Sequence, residues 1–363
     1  MKYDFSYNEK IKLAVQPQEY SKDSEKEILQ YAVAALLYMP ASNEKIVDKI
    51  INKTYTNTNS IVLDLEDSLG DDMVRHGQRT IKKIAHALAE AISDERLKYE
   101  DLPLIFIRIR KKGQMEEVLE SLGEDIKVIT GFNIPKFDKE CCDTYIKEFI
   151  RVRNSVNDMF NSRYKLYIMP IIENKLAMYR QLRMDNLLCI NSVLRNISDN
   201  VLNIRVGGAD FCSIFGIRRN IDECIHDIGV VRSVFADIMN VFGKNYVVSG
   251  PVWEYFGKDT DGLWAKGLKR ELKYDRLNGF IGKTSIHPTQ LPLIQESLIV
   301  KWHDYQDALN ILGMNENVVG VKKSTEDSFG NCRMNEVKTH TNWAKKIISL
   351  ATIYGVYAEG EGV

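Results

Sequence analysis

The segment Ser60–Asp67, SIVLDLED, runs from a short apolar, β-branched stretch straight into three carboxylates, Asp64, Glu66 and Asp67. An uninterrupted apolar run of this length predicts a strand buried on both faces. Acids at its end are not what a core strand would choose, so the ending carries the information. The same form recurs along the chain. AVAALLYMP ends at Pro40, LPLIFIRIR at Arg110, IKVITGFNIPK at Lys136, LYIMPIIEN at Asn174, LNIRVGGAD at Asp210, YVVSGP at Pro251 and GFIGKTSIHP at Pro288. These eight runs, spaced by about one βα unit, predict an α/β fold, a TIM (β/α)8 barrel. Between them, residues 74–92 and 174–194 place apolar side chains at three- and four-residue intervals, as helices coating a barrel would. A TIM barrel carries its chemistry at the C-terminal ends of its strands. Asp64, Glu66, Asp67, Arg108, Lys136, Glu173 and Asp210 all fall there. Any one of them reads as an ordinary loop charge, but their repetition at one end of successive strands does not.

The chain has 363 residues and a net charge of -1, with 27% charged and 44% hydrophobic residues, the balance of a globular protein with no bias toward nucleic acid. Its longest apolar stretch, Tyr31–Pro40, is far below the ~20 residues of a membrane helix, and MKYDFSYNEK lacks the apolar core of a signal peptide. The reading is therefore no membrane, no nucleic acid and a cytoplasmic location. Cys141, Cys142, Cys189, Cys212, Cys224 and Cys332 form no Cys-x-x-Cys, and six histidines form no zinc motif, so reduced thiols and no zinc are expected. Three parts are expected. Residues 1–29 form a polar, weakly patterned extension, 30–299 the barrel, and 300–363 a helical cap with a Gly-, Asn- and Ser-rich run from Gly313 to Asn331.

Three carboxylates in four positions repel one another unless cations or donors surround them. Arg108 and Arg110 end the next strand, about 5 Å away, and are the expected partners; a purely structural Arg–carboxylate network is the alternative. Glu173 and Asp210 end two successive strands, and two carboxylates completed by water and substrate oxygens are what Mg²⁺ takes, or Mn²⁺ in its place. Each acid alone reads equally as a helix cap. Gly207 and Gly208 are expected to let a ligand approach the backbone. The GFIGKT segment is not a phosphate loop, because Leu277 stands where the first glycine of the motif belongs.

LYMPASNEKIVDKI, SIVLDLEDS, FIRIR, NIPK, PIIEN, GGADF, SGPVWEYFGKDTDGL, GFIGKTSIHPTQ and HTNWAKKIISLATIYGV, in this order, resemble the citrate lyase β-subunit/malyl-CoA lyase family of TIM-barrel carbon–carbon lyases over about residues 33–356. The resemblance implies that Glu173 and Asp210 hold Mg²⁺, that Arg108 binds a substrate oxygen, and that Glu66 and Asp67 position Arg108 and the metal's waters. It places Lys136, Gly208, Gly250 and Pro251 against the substrate. It also implies a homotrimer or hexamer in which residues 313–356 cover a neighbour's site. The implied reaction cleaves or forms a bond next to a carbonyl, through an enolate, on a 3-hydroxy acid or a coenzyme A thioester. Rival readings are a synthase or thioester hydrolase on the same fold, or a barrel that binds a metabolite without turnover. The sequence departs from the family at Pro40-Ala41-Ser42-Asn43, where Pro-Gly-Asn is usual, and at Arg108-Ile109-Arg110, where Arg-Val-Asn is usual. These departures, with the polar amino-terminal extension and the long 313–331 segment, resemble a divergent branch found in bacterial stress and tellurite-resistance gene clusters. The base that takes the 3-hydroxyl proton is not identified by any motif.

Overall fold

The computed structural model describes all residues except 55–56, 315–319, 325, 327–330 and 363. Much of the run from Gly313 to Asn331 therefore lies outside the described residues. The chain divides into two compact units, Ser21–Ile294 and the combination of Met1–Tyr20 with Gln295–Val363.

Among the described residues the larger unit holds seven parallel strands: β1 (Ala35–Pro40), β2 (Ser60–Asp64), β3 (Leu104–Arg108), β4 (Gly131–Ile134), β5 (Tyr167–Ile172), β6 (Arg205–Val206) and β7 (Lys283–Ser285). Their order in the sheet is β6-β5-β4-β3-β2-β1-β7. Strands β2 and β3 are buried at every position, which is why their sequences are apolar without alternation. In the register, Asp64 stands beside Pro40 and Arg108, and Arg108 beside Asn133, so the polar strand ends lie level.

The seventh apolar run, Tyr246–Pro251, is not a ladder strand as expected. It makes two isolated parallel bridges, Ile204↔Val248 and Gly250↔Lys283. The Ser249 N–H donates to the Ile204 carbonyl and the Gly250 N–H to the Gly282 carbonyl, each at 2.9 Å. Only three apolar residues precede Ser-Gly-Pro here, too few for a ladder, and Pro251 has no N–H to extend one. The bridges still join the edges β6 and β7, so the sheet closes into the eight-position ring of a TIM barrel.

Around the ring, the helix Val74–Ser93 matches the expected 74–92, with Ile81, Ile84, Ala85, Leu88 and Ala89 among its buried residues. The single helix expected over 174–194 is instead two, Lys175–Met178 and Arg180–Arg195, with Tyr179 in an extended conformation at ψ 117°. The break is held from inside. Buried Arg183 donates to the freed carbonyls of Ala177 at 2.7 Å and Met178 at 2.8 Å. Lys283 of GFIGKT is fully buried between Glu271 at 2.9 Å and Asp275 at 2.7 Å, a structural ion cluster and not a phosphate site.

In the smaller unit, Leu13–Val15 pairs antiparallel with Val356–Tyr357, and helices Trp302–Gly313 and Val337–Tyr354 supply the bulk. The amino-terminal residues are better patterned than expected. Met1, Tyr3 and Phe5 are buried and Lys2, Asp4 and Ser6 exposed, a period of two, and the Tyr3 ring lies 4.7 Å from that of Tyr354. Among the described residues no helix is long and apolar enough to cross a membrane.

Candidate active site

The level strand ends bring their charges together. Arg108, the last residue of β3, is 6% exposed. Its Nη2 lies 2.7 Å from Glu66 Oε2, 3.0 Å from Asp67 Oδ2 and 3.4 Å from Glu173 Oε1, and its Nη1 lies 3.6 Å from Asp64 Oδ2. The tight DLED turn is folded by Asp64 itself, whose carboxylate accepts from the N–H of Glu66 at 2.8 Å and of Ser68 at 3.3 Å. Lys136 is the second cation. Its Nζ pairs with Glu66 and sits 3.6 Å from Asp67 Oδ1. Arg110 does not join the cluster of carboxylates. The ladder ends at Arg108, and Arg110 bonds the carbonyls of Glu66 and Leu69 and the carboxylate of Asp71, bracing the loop from behind.

Burial sets the electrostatics. It pushes Glu173 up to about 8, Arg108 pulling against it and the Asp210 charge adding to the push. Asp210 is raised by burial and by Asp67. Glu66 is raised by burial against the pull of Arg108. The burial of Asp67 is outweighed by its hydrogen bond with Glu66 and by Arg108, so it stays below the usual range. Glu173, Asp210 and Glu66, all raised, are short of positive charge.

The acids face a cavity of ≈ 450 Å³ lined by Tyr38, Asp67, Arg108, Glu173, Asp210 and Thr284, among others. A Cβ on Gly207 would lie 2.6 Å from Glu173 Oε2 and 3.0 Å from Asp210 Oδ2. Both carboxylates thus close on one bare stretch of backbone. Among the described residues no three Asp, Glu, His or Cys converge as a ready-made cage. Two hard oxygen donors left short of cationic partners suit Mg²⁺, which keeps several waters and needs only one or two carboxylates.

The other sequence-derived positions fall unevenly. Gly208 lines the cavity, but the space beside its Cα is filled by Ile225 and Pro251, as that beside Gly207 is by Glu173; the two glycines accommodate the protein's own side chains. Gly250 and Pro251 stand behind the wall, Gly250 against Asp275, while Val252 lines the cavity. Tyr38, Thr284 and Arg205 were not singled out by motif. The available signal was a polar residue inside an apolar run, clearest for Arg in LNIRV.

A family model for carbon–carbon bond lyases of the TIM-barrel fold matches residues 27–356. No curated protein matches the chain. Among solved structures, the CitE protein of Mycobacterium tuberculosis, in complex with magnesium, acetoacetate and coenzyme A, aligns with a TM-score of 0.55 at 16% identity, covering 88% of this chain and 99% of that one. The citrate lyase beta subunit of M. tuberculosis with oxaloacetate and magnesium aligns at 0.49 and 17% identity, over 74% and 98% of the two chains. RipC of Yersinia pestis aligns at 0.48 and 15% identity, over 74% and 95%. The CitE likeness agrees with the fold, and the family match spans nearly all of the barrel: the chain belongs to the carbon–carbon bond lyases of the TIM-barrel fold.

Proposed function

We propose that the protein is a Mg²⁺-dependent lyase that cleaves or forms a carbon–carbon bond next to a carbonyl, on a 3-hydroxy acid or its coenzyme A thioester. The observation that carries this reading is Arg108, buried and anchored by Glu66, Asp67 and Glu173 at the edge of the Glu173–Asp210 pair. Cleavage beside a carbonyl leaves an electron pair delocalised onto oxygen as an enolate. Mg²⁺ held by Glu173 and Asp210 would supply the positive charge that this oxygen requires. Glu66 and Asp67 fix the Arg108 fork through Nη2, which leaves Nη1 to donate to a substrate oxygen. Lys136 occupies the other oxygen of Glu66, so that the carboxylate keeps its orientation when substrate enters. The CitE structure, with magnesium, acetoacetate and coenzyme A, supports the chemical class. Self-association as a trimer or hexamer belongs to the same proposal.

The test is a screen of 3-hydroxy acids and their coenzyme A thioesters for cleavage products, with and without Mg²⁺. Product that requires the metal and disappears in Glu173→Ala and Asp210→Ala supports the reading. Metal-independent turnover, or Mg²⁺ affinity unchanged in both variants, removes it.

A further inference from the structure

The helices that follow β4 and β5 are neighbours around the ring, and each brings a cysteine to the other. Cys142 is the first residue of the helix Cys142–Phe160 and is 1% exposed. Cys189 lies within the helix Arg180–Arg195 and is half-buried. Burial, then the charge and hydrogen bond of Cys189, push the Cys142 thiol up to about 12, so the two sulfurs are direct partners. Their approach is fixed by polar contacts one turn away. The Lys139 N–H donates to buried Asn186 Oδ1 at 2.8 Å, and Lys139 Nζ pairs with Asp185 Oδ2 at 2.5 Å. Cys142 stands three residues beyond Lys139 and Cys189 three beyond Asn186, so the thiol contact continues this seam.

The other cysteines are placed differently. Cys141 points its Sγ at the carbonyls of Lys136 and Asp138, both at 3.6 Å, and strain disfavours a disulfide between adjacent residues. Cys212 and Cys224 are buried, and the charged groups acting on them include no thiol. Cys332 is exposed. Cys142 and Cys189 thus couple a reachable thiol to a sheltered one on separate helices. Lys139 adds a cation facing Cys189, the setting in which a cysteine attacks as thiolate.

We infer that Cys142 and Cys189 form an oxidation site for hydrogen peroxide, and that their disulfide staples the loop carrying Lys136 to the helix Arg180–Arg195. Cys189 attacks one peroxide oxygen as thiolate: the S–O bond forms, the O–O bond breaks, and the departing hydroxide takes up the proton that the thiol released. The Cys142 sulfur then attacks the Cys189 sulfur; the S–S bond forms, the S–O bond breaks, and water leaves with the Cys142 proton. Two thiols give up two electrons, and one peroxide becomes two waters. The staple falls at the end of a loop that already reaches the strand ends. Lys136 donates its N–H to Glu173 and pairs its Nζ with Glu66, and Asp138 accepts from Asn174 Nδ2 at 2.5 Å. Neither cysteine lines the cavity, so the inference stands apart from the lyase reading.

The experiment treats the reduced, full-length protein with hydrogen peroxide and maps its cysteines by peptide mass. Wild type should yield a cross-linked peptide pair containing Cys142 and Cys189 and should melt about 4 °C or more higher, because the cross-link restrains the unfolded chain. Dithiothreitol should reverse both effects. Cys142→Ala should stop at a sulfenic acid on Cys189, captured by dimedone. Cys189→Ala should leave Cys142 unlabelled, since the sheltered thiol does not meet peroxide first. The wild-type cross-link is read without either variant, so a variant that folds poorly does not decide the outcome. A disulfide through Cys141 or Cys332 in place of this one, no cross-link, a cross-link without the rise in melting temperature, or dimedone on Cys142 in Cys189→Ala overturns the inference. Cysteines that serve packing alone would stay reduced in peroxide while both alanine variants melt lower.

Discussion

The backbone N–H of Lys136 donates to Glu173 Oε1 at 2.9 Å, from a residue whose own φ is +50°. Left-handed backbone is strained for a side chain other than Gly, Asn or Asp. Here it turns the amide toward the carboxylate. Oε1 is thereby shared by Lys136 and Arg108, while Oε2 faces Gly207 and the Asp210 side. The proposed metal ligand is presented as one free oxygen. Glu173→Ala and Asp210→Ala should each abolish Mg²⁺ binding in a calorimetric titration. Lys136→Gly, which keeps the amide and relaxes the φ, should change that affinity by no more than about threefold while turnover falls with the loss of Nζ. Wild-type affinity in either alanine variant would take that acid out of the metal site.

Gly207 gives a test that removes no ligand. An added methyl would come within 2.3 Å of Glu173 Cβ, which cannot swing aside as a side-chain tip could. Gly207→Ala should therefore displace Glu173 and weaken Mg²⁺ by about tenfold or more, as loss of a supporting contact does at metal sites. Circular dichroism that matches wild type, together with intact Mg²⁺ binding, would show that the methyl is accommodated and the carboxylate is elsewhere.

Arg108→Lys separates charge from shape. A lysine ammonium is a point donor and cannot serve Glu66, Asp67 and Glu173 while still presenting a free edge to substrate. Turnover should fall about a hundredfold, the scale of losing one preorganised donor. Because Arg108 is buried among four carboxylates, the melting temperature should fall as well at neutral pH. Part of it should return as the pH falls, because Glu173 and Glu66, whose carboxyls burial already raises, take up protons in the fold. Unchanged turnover with a lowered melting temperature would make Arg108 structural alone.

Lys22 is 2% exposed and donates to the carbonyls of Lys127 and Ile129. Burial pulls its ammonium from 10.5 to about 7. The unfolded chain keeps that proton to its ordinary pKa, so between pH 7 and 10 the unfolded state binds more protons and stability rises with pH. Below pH 7 both states are charged and the cost of burial is complete. The stability of wild type relative to Lys22→Met, from denaturant melts, should increase between pH 7 and 9.5. A difference flat across that range would mean that Lys22 stays protonated in the fold.

Sedimentation at micromolar concentration should give a species larger than the 41.7 kDa chain, as the proposed trimer or hexamer requires. A lone monomer with full activity would rule it out.

Most of the barrel was legible because its strands are written locally: an apolar run, then a charge, at a βα interval. Arg108 and the DLED acids could be paired on paper because neighbouring parallel strands end level. The amino-terminal alternation of Met1, Tyr3 and Phe5 was equally readable, and its period of two is strand-like. Other features depend on contacts that no local pattern carries. Arg108 and Arg110 share a period-two face, yet only the point where the ladder ends decides that one meets the carboxylates and the other braces a loop. The helix break at Tyr179 answers to buried Arg183 within a window that reads as continuous helix. Tyr38, Thr284 and Arg205 meet because the ring closes β7 against β1 and, through Tyr246–Pro251, against β6. Sequence alone marked the apolar runs and the charges that follow them. Ring closure, set by long-range register, decided which of those charges share a cavity.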